Sequence, residues 1–384
     1  MASIAKRLDG QWRARYRDDA GKEHARHFGR KVDAQRWLDD VTAAIVTGQY
    51  VDPKAGRTTV AEYAKVWQAA QVGSPGTARI VDNAVRLHIV PRLGTTPLAA
   101  VRRGDAQALV KALSMTYAAG TVRNVYDVLA RIMASAVDDR LIAATPCRRI
   151  VLPRIDDGEI SPPAVEDILA LAAAVPRRYR AVVVTLAGSG LRIGELLGLS
   201  VADVDFLRRT VRVERQRTQS GELTAPKTGK SVRTVPLGQV VIDELAAHLA
   251  AFPSAEWLFT VDGDEPLQYR SWKWIWRTAH AARQRAEVAA AAKQERKSVT
   301  FAAVGTHDLR HFYASALIAG GATVKQVQTV LGHASAMITL RTYAHLWPGD
   351  DDRTRAVMDS TLDVLRTARG LAATSGGIAA GQEA

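Results

Sequence analysis

One cysteine, Cys147, stands in the whole chain. That excludes an internal disulfide and any zinc site built on several cysteines. Long apolar runs are also missing. The longest uncharged one, "AVVVTLAGSGL" from Ala181, is far too short to cross a bilayer. The opening "MASIAKRLDGQWRARYRD" has no apolar core of the kind a secretory signal needs, so a soluble intracellular protein with no membrane partner is expected. Acidic residues are in deficit, with 39 Asp and Glu against 52 Lys and Arg, a formal charge of +13. Such an excess suits a polyanionic partner, most simply nucleic acid, because each neutralised phosphate releases counterions. Hydrophobic content of 47% supplies ample core, and 384 residues are too many for one core, so two or three domains are expected.

Residues 1–55 form a first unit. In "GQWRARYRD", Trp12, Ala14 and Tyr16 alternate with Arg13, Arg15 and Arg17, the period of a strand with one cationic face. "DDAG" reads as a turn and "KEHARHFG" as the returning strand. "VDAQRWLDDVTAAIVTG" reads as a helix with Asp33 near its N-cap and Gly48 at its end. The cationic face is either a DNA-reading surface or a solvated hairpin. After the linker "VDPKAGR", Thr59 and Glu62 make a capping box. Val60, Tyr63, Ala64 and Trp67 then share a helical face. Further helices are expected to end near "HIVPRLG", to start near Asp105, and to run from Thr121 with Val125, Leu129, Ile132, Met133 and Ala136 inward. "AATPCRRIVLPRIDDGE", with Pro146 and Pro153 among charges, is the natural domain boundary. The third unit, 160–368, opens with helices at "PAVEDILALAAAV" and "RRYRAVVVTLAGSG", the second closed by Gly188 and Gly190. A small β section follows ("TVRVERQ", the turn "QSGE", "SVRTVPL"), then the helix "QVVIDELAAHLAAF" and a short strand at "EWLFT". Residues 279–300 read as an extended solvated helix, and 369–384 as a mobile low-complexity tail.

Polar residues cluster in four places. In "GSGLRIGELLGL", Arg192 lies among leucines, where an unpaired guanidinium is costly. Either Glu195 or a ligand phosphate can receive it. In "TAPKTGKSVRTVPL", Lys227 and Lys230 lead into a strand, as a proton donor over a groove or as an ordinary solvated turn. If "THDLRHFYASALIAG" is a helix capped by Thr306, His307 and Arg310 share its N-terminal face, a place suited to an anion. His307 and His311 have the spacing of a zinc pair. The residue after the first histidine is Asp308 rather than Glu, however, and Arg310 would repel a dication. Beyond them, His333 follows Gly332 at a helix end, and Tyr343 lies two residues from Arg341.

Taken in order, "GLRIGEL", "PKTGKSVRTVPL", "THDLRHFYAS", "LGHAS" and "RTYAHL" resemble the motifs of the tyrosine site-specific recombinases, in particular phage and integrative-element integrases. The resemblance is strong over 160–350. It implies a multidomain, mainly α fold: a small N-terminal domain of a three-stranded sheet plus helix (1–55), which binds arm-type DNA sites; an all-α helical bundle (56–150), which binds core-type sites; and an α+β catalytic domain (160–368). It implies that Arg192 and Arg310 clamp the scissile phosphate and that Tyr343 attacks phosphorus to give a 3′-phosphotyrosyl link. Lys227, preferred to Lys230 for its Pro-Lys-Thr context, would protonate the leaving 5′-oxygen. His307 would be the general acid/base and His333 a phosphate hydrogen-bond partner, while Glu195 would buttress and His311 be structural. No cofactor, metal or ATP is implied. Implied partners are double-stranded DNA with core and arm attachment sites, a homo-tetramer on that DNA, a DNA-bending host factor and an excisionase, in the cytoplasm of a bacterial host at the nucleoid.

The chemistry agrees with the residue types. A free tyrosine has a pKa of about 10, so cations are needed to favour its phenolate and to stabilise charge on the equatorial oxygens. Within this chemistry the alternatives are a resolvase or a type IB topoisomerase-like enzyme. From other classes come a metallohydrolase on His307, His311 and His333, and a DNA-binding regulator without catalysis.

Overall fold

The computed structural model describes residues 2–17, 21–46, 55–155, 160–225, 232–347 and 354–363. The expected "DDAG" turn in its larger part, the Gly48 helix end, Lys227, Lys230 and the 369–384 tail lie outside the described residues. The chain divides into two compact units, Met1–Asp157 and Gly158–Ala384.

Unit 1 holds two separate cores. In the first, strands β1 (Ser3–Lys6), β2 (Trp12–Arg17) and β3 (Glu23–Phe28) form an antiparallel sheet in that order, with Trp12 opposite Phe28 and Tyr16 opposite His24. Helix α1 (Lys31–Val46) covers one face, burying Ala34 and Leu38 against Ala14 and Tyr16. Arg13, Arg15 and Arg17 stand exposed, as the period-two pattern requires. Glu23 sits among them, 3.5 Å from Arg13 and 3.9 Å from each of the other two, so one carboxylate faces three guanidinium groups.

The second core is all helical. Helix α2 (Val60–Ala69) starts on the Thr59–Glu62 capping box and buries the four residues the pattern selects. Helix α3 (Pro75–Asn83) runs through one wide π turn, Ala84–Ile89, into α4 (Val90–Leu93). The wide turn falls just before Pro91, which has no N–H to give to a regular ladder. Helix α5 (Arg103–Ser114) begins earlier than Asp105 because that carboxylate accepts the Arg102 N–H at 2.8 Å, so Asp105 lies inside the first turn. Helix α6 is Ala119–Asp138. The proline-marked stretch after it is pinned to this core. Arg103 donates to the carbonyls of Arg148 and Arg149, Gln107 pairs with both backbone groups of Val151, and Arg123 donates to Pro153.

Unit 2 is built around α8 (Arg180–Ser189), which follows α7 (Val165–Ala174) and precedes the single turn α9 (Ile193–Leu196). Strand β5 (Thr210–Val213) lies between β4 (Val204–Asp205) and β8 (Arg233–Pro236), antiparallel to both, while β6 (Gln216–Arg217) and β7 (Leu223–Thr224) form a hairpin. Helices α10 (Gln239–Ala251), α11 (Tyr269–Lys293), α12 (Asp308–Ala319), α13 (Val324–Leu331) and α14 (Ala336–Tyr343) complete it, with α15 at 354–363. Three expectations are corrected. Gly188 does not end α8: it lies inside the helix, where a Cβ would stand 2.4 Å from Val241 on α10, so it serves close packing. "EWLFT" forms isolated bridges from Trp257 and Thr260 rather than a strand. The helix read at 279–300 begins at Tyr269 and stops at Lys293. It is not simply solvated, since Trp272, Ile275, Trp276 and Ala279 are buried and Arg283 pairs with Asp167 on α7.

Candidate active site

The centre of unit 2 is set by how α8 ends. Gly190 caps it in the left-handed conformation at φ 63°. A Cβ there would stand 2.4 Å from the Tyr313 ring on α12 and 3.0 Å from Leu331 on α13. Only glycine lets three helices meet so closely. Two residues later, Arg192 occupies the N-cap of α9, with its backbone N–H 2.9 Å and its Nη1 2.8 Å from the Glu195 carboxylate. Its side chain stays 38% exposed, so it is the arginine open to a ligand.

Glu195 is buried and held from the other side by Arg233, whose Nη1 and Nη2 donate to its two oxygens at 3.1 and 2.9 Å. Burial alone would raise this carboxyl. The Arg233 hydrogen bonds and charge, with Arg192 behind them, outweigh it and hold Glu195 below the ordinary carboxylate range. Of the two sequence readings of Arg192, the Arg–Glu pair is present, and the one carboxylate answers two cations. Arg233 also donates Nε to the Val330 carbonyl at 2.6 Å, tying β8 to the end of α13. The sequence reading passed over it. The signal was there, since Arg233 is in phase with buried Val235, and an inward arginine needs a partner.

Arg310 is buried on α12 and donates to the carbonyls of Gly190 and Leu331 at 2.7 and 2.6 Å. Among the described residues no carboxylate forms an ion pair with it. Burial and the neighbouring Arg192 push it down to about 9, still cationic at neutral pH. A buried cation whose hydrogen bonds go to carbonyls, with the Glu195 charge acting on it without an ion pair, is costly, and an anion arriving between Arg192 and Arg310 would offset that cost.

His307 caps α12, although Thr306 was the expected cap. The Thr306 hydroxyl instead accepts from Trp272 Nε1 at 3.2 Å, and the Asp308 carboxylate accepts the Gly305 N–H at 2.7 Å. Partial desolvation, then His311, Arg310 and Arg192, push His307 down to about 4. His333 follows Gly332, which closes α13 at φ 64°, and its Nδ1 pairs with the Thr339 hydroxyl at 2.9 Å. Burial and then the guanidinium groups of Arg310, Arg192 and Arg233 push it, too, down to about 4. Tyr343, at the end of α14, is 1% exposed. Its phenol oxygen stands 2.8 Å from His311 Nδ1. Burial pushes the phenol up to about 12, while Arg310 and Arg192 pull it the other way.

The structure thus brings Arg192, Glu195, Arg310, His307, His333 and Tyr343 into one electrostatic neighbourhood, while Lys227 falls in 226–231, outside the described residues. No group of three or more His, Cys, Asp or Glu among the described residues could hold a metal ion. The three histidines of the metallohydrolase reading do not converge: His311 is engaged with Tyr343 and His333 with Thr339. Among the described residues no helix is long and apolar enough to cross a membrane.

Comparison with known proteins agrees with this geometry. The model of the phage integrase family matches residues 160–348. The chain is 28% identical over 372 residues to a putative prophage phiRv2 integrase of Mycobacterium tuberculosis (strain H37Rv), covering 91% of this chain and 92% of that protein. It is 32% identical over 234 residues to tyrosine recombinase XerC of Mycobacterium bovis, covering 56% of this chain and 68% of that protein. Among solved structures, the Tn1549 transposon integrase in complex with a circular intermediate DNA superposes with a TM-score of 0.64 at 21% identity, over 79% of this chain and 99% of that one. A lambda integrase tetramer bound to a Holliday junction gives 0.56 at 18% identity, over 90% and 94%. At such identities these two carry the fold, multidomain and mainly α with small sheets. The matched region is the one that folds into the cluster of arginines, histidines and tyrosine, and the chain belongs to the phage integrase family of tyrosine recombinases, enzymes that transfer DNA strands.

Proposed function

We propose that this chain is an integrase that cuts and rejoins DNA strands at specific sites through a 3′-phosphotyrosyl intermediate, moving a phage or mobile element in and out of a host chromosome. The observation that carries the reading is the pair Arg192 and Arg310, one open and one buried with no carboxylate ion-paired to it among the described residues, acting on the phenol of Tyr343. In this reading the two guanidinium groups hold the non-bridging oxygens of one backbone phosphate. Arginine aimed at such a transition state can contribute about 10³–10⁵ in rate. His333 keeps Nδ1 on Thr339 and offers its other ring nitrogen to the phosphate. His307 serves as acid/base at the rim, Lys227 protonates the leaving 5′-oxygen, and Tyr343 attacks in line. The ester stores the energy of the broken phosphodiester, so a second 5′-hydroxyl reverses the attack without ATP.

The same reading assigns 1–55 to arm-type sites, through exposed Arg13, Arg15 and Arg17, and 56–150 to core-type sites, with 160–368 catalytic. Two DNA-binding units on one chain engage the second site at high effective concentration. A tetramer on DNA, a DNA-bending host protein, an excisionase and a place at the bacterial nucleoid belong to the reading as well. The lambda integrase tetramer bound to a Holliday junction supports the first of these.

The test is covalent capture. Incubated with nicked duplexes carrying its attachment site, the wild-type chain should form a protein–DNA adduct in EDTA, and Tyr343→Phe should form none. Adduct formation by Tyr343→Phe, or its loss on chelation, would overturn the assignment.

A further inference from the structure

In the reading above, a buried phenol must lose its proton as its oxygen closes on phosphorus. Bound phosphate would itself offset the pull of Arg192 and Arg310 on that phenol, so positive charge alone leaves Tyr343 protonated at the moment it is needed. Among the described residues one side chain meets the phenol oxygen: His311, with Nδ1 at 2.8 Å. The contact is partly buried. Tyr343 is 1% exposed, its ring meets His311 at 5.6 Å and 62°, and His307 packs edge-on against His311 at 4.9 Å and 90°. No hydrogen bond joins His307 to the phenol oxygen among the described residues, although His307 carries the expected acid/base role.

We infer that His311 is the catalytic group that takes the Tyr343 proton when a strand is cut and returns it when the strand is rejoined. The inference rests on the integrase reading. In the cut, the phenol O–H bond breaks and its proton passes to Nδ1, the Oη–P bond forms and the P–O5′ bond breaks. The 5′-oxygen takes its proton from a separate donor, Lys227 in the reading above. Neutral phenol and neutral imidazole become ester and imidazolium, and the ammonium becomes an amine beside a 5′-hydroxyl. Rejoining runs the same transfers backwards, with the imidazolium protonating the departing phenol oxygen. The step requires a neutral imidazole with its own proton on Nε2. Burial lowers His311, Asp308 on the same helix raises it and Arg310 lowers it; Tyr343 faces it from α14, and the Arg192 charge reaches both Tyr343 and His307. The balance is downward, so the ring is ready to accept near neutrality.

His311→Asn keeps an acceptor where Nδ1 stands and removes its basicity. On a nicked duplex that the wild-type chain captures, single-turnover cleavage by His311→Asn should fall about 10²-fold at pH 7 and climb with pH as hydroxide takes over. A 5′-bridging sulfur, which leaves without a proton, should rescue Lys227→Ala and not His311→Asn. Cleavage by His311→Asn at the wild-type rate with the wild-type pH profile, or its rescue by the bridging sulfur, overturns the assignment. If His311→Asn does not fold, the wild-type chain decides. On the sulfur substrate its rate should fall along one acid limb that lies below the ordinary histidine range, and that limb should persist in His307→Asn; a flat profile, or a limb lost with His307, refutes the role. Failure of the wild-type chain to capture any duplex is the separate failure of the integrase reading.

Discussion

Arg233 has the plainest energetics of any single residue here. It is buried and bidentate to a buried carboxylate that also holds Arg192 in place. Removing one partner of a buried ion pair typically costs about 3–5 kcal/mol, and here Glu195 would keep only the half-exposed Arg192. Arg233→Ala should therefore lower the melting temperature of the chain and also reduce adduct formation, because Arg192 would be drawn towards the charge that Arg233 no longer answers. Arg233→Met should restore packing but not cleavage. A variant that melts lower yet cleaves at the wild-type rate would limit Arg233 to stability. Cys147 shows the opposite case. Burial pushes its thiol up to about 11, so it is a poor nucleophile, and its conspicuous solitude in the sequence has no chemical consequence.

Among the elements, the end of α8 decides most. Its cap both reverses the chain into Arg192 and supplies the carbonyl that receives Arg310. Gly190→Ala forces a left-handed alanine and a Cβ into the Tyr313 ring, strain of about 1–3 kcal/mol before any repacking. Gly263 has a similar φ of 60° with nothing within 4 Å, so it isolates the backbone cost. We expect Gly190→Ala to lose both stability and covalent capture, and Gly263→Ala to lose only a little stability. Thermal melting and the adduct assay on the two variants side by side check this. Helix α11 teaches a related point. Its alanine-rich second half looks solvated in one dimension, and only the packing of Arg283 and Ala291 turns that face inward.

For the molecule as a whole, the gathered positive charge makes stability depend on pH. His307 and His333 lie near 4 in the folded chain against about 6.5 when unfolded, so between these values the unfolded chain binds more protons. Their contribution is complete above about pH 6.5 and is lost as the pH falls towards 4. His333, the less exposed of the two, should carry more of it. Melting temperatures measured from pH 7.5 to 5 should fall, and His333→Gln should flatten the curve; an identical slope in that variant would count against it. A phosphate in the pocket would favour the protonated rings, so bound DNA should reduce the dependence.

The amino-acid sequence by itself determined the basic balance, the alternating strand of three arginines, the capping box at Thr59 and the ordered motifs that carry the family. These are local: period, spacing and turn chemistry act within a few residues. It also placed Arg192, His307, Arg310, His333 and Tyr343 in order along the chain. What only the tertiary structure decided is which of them touch. Arg233 reaches Glu195 from 38 residues away, Arg310 reaches the Gly190 carbonyl from 120, and His311 meets Tyr343 across 32. Such partnerships depend on how α8, α12, α13 and α14 close around a glycine, and no one-dimensional period records a closure of that kind.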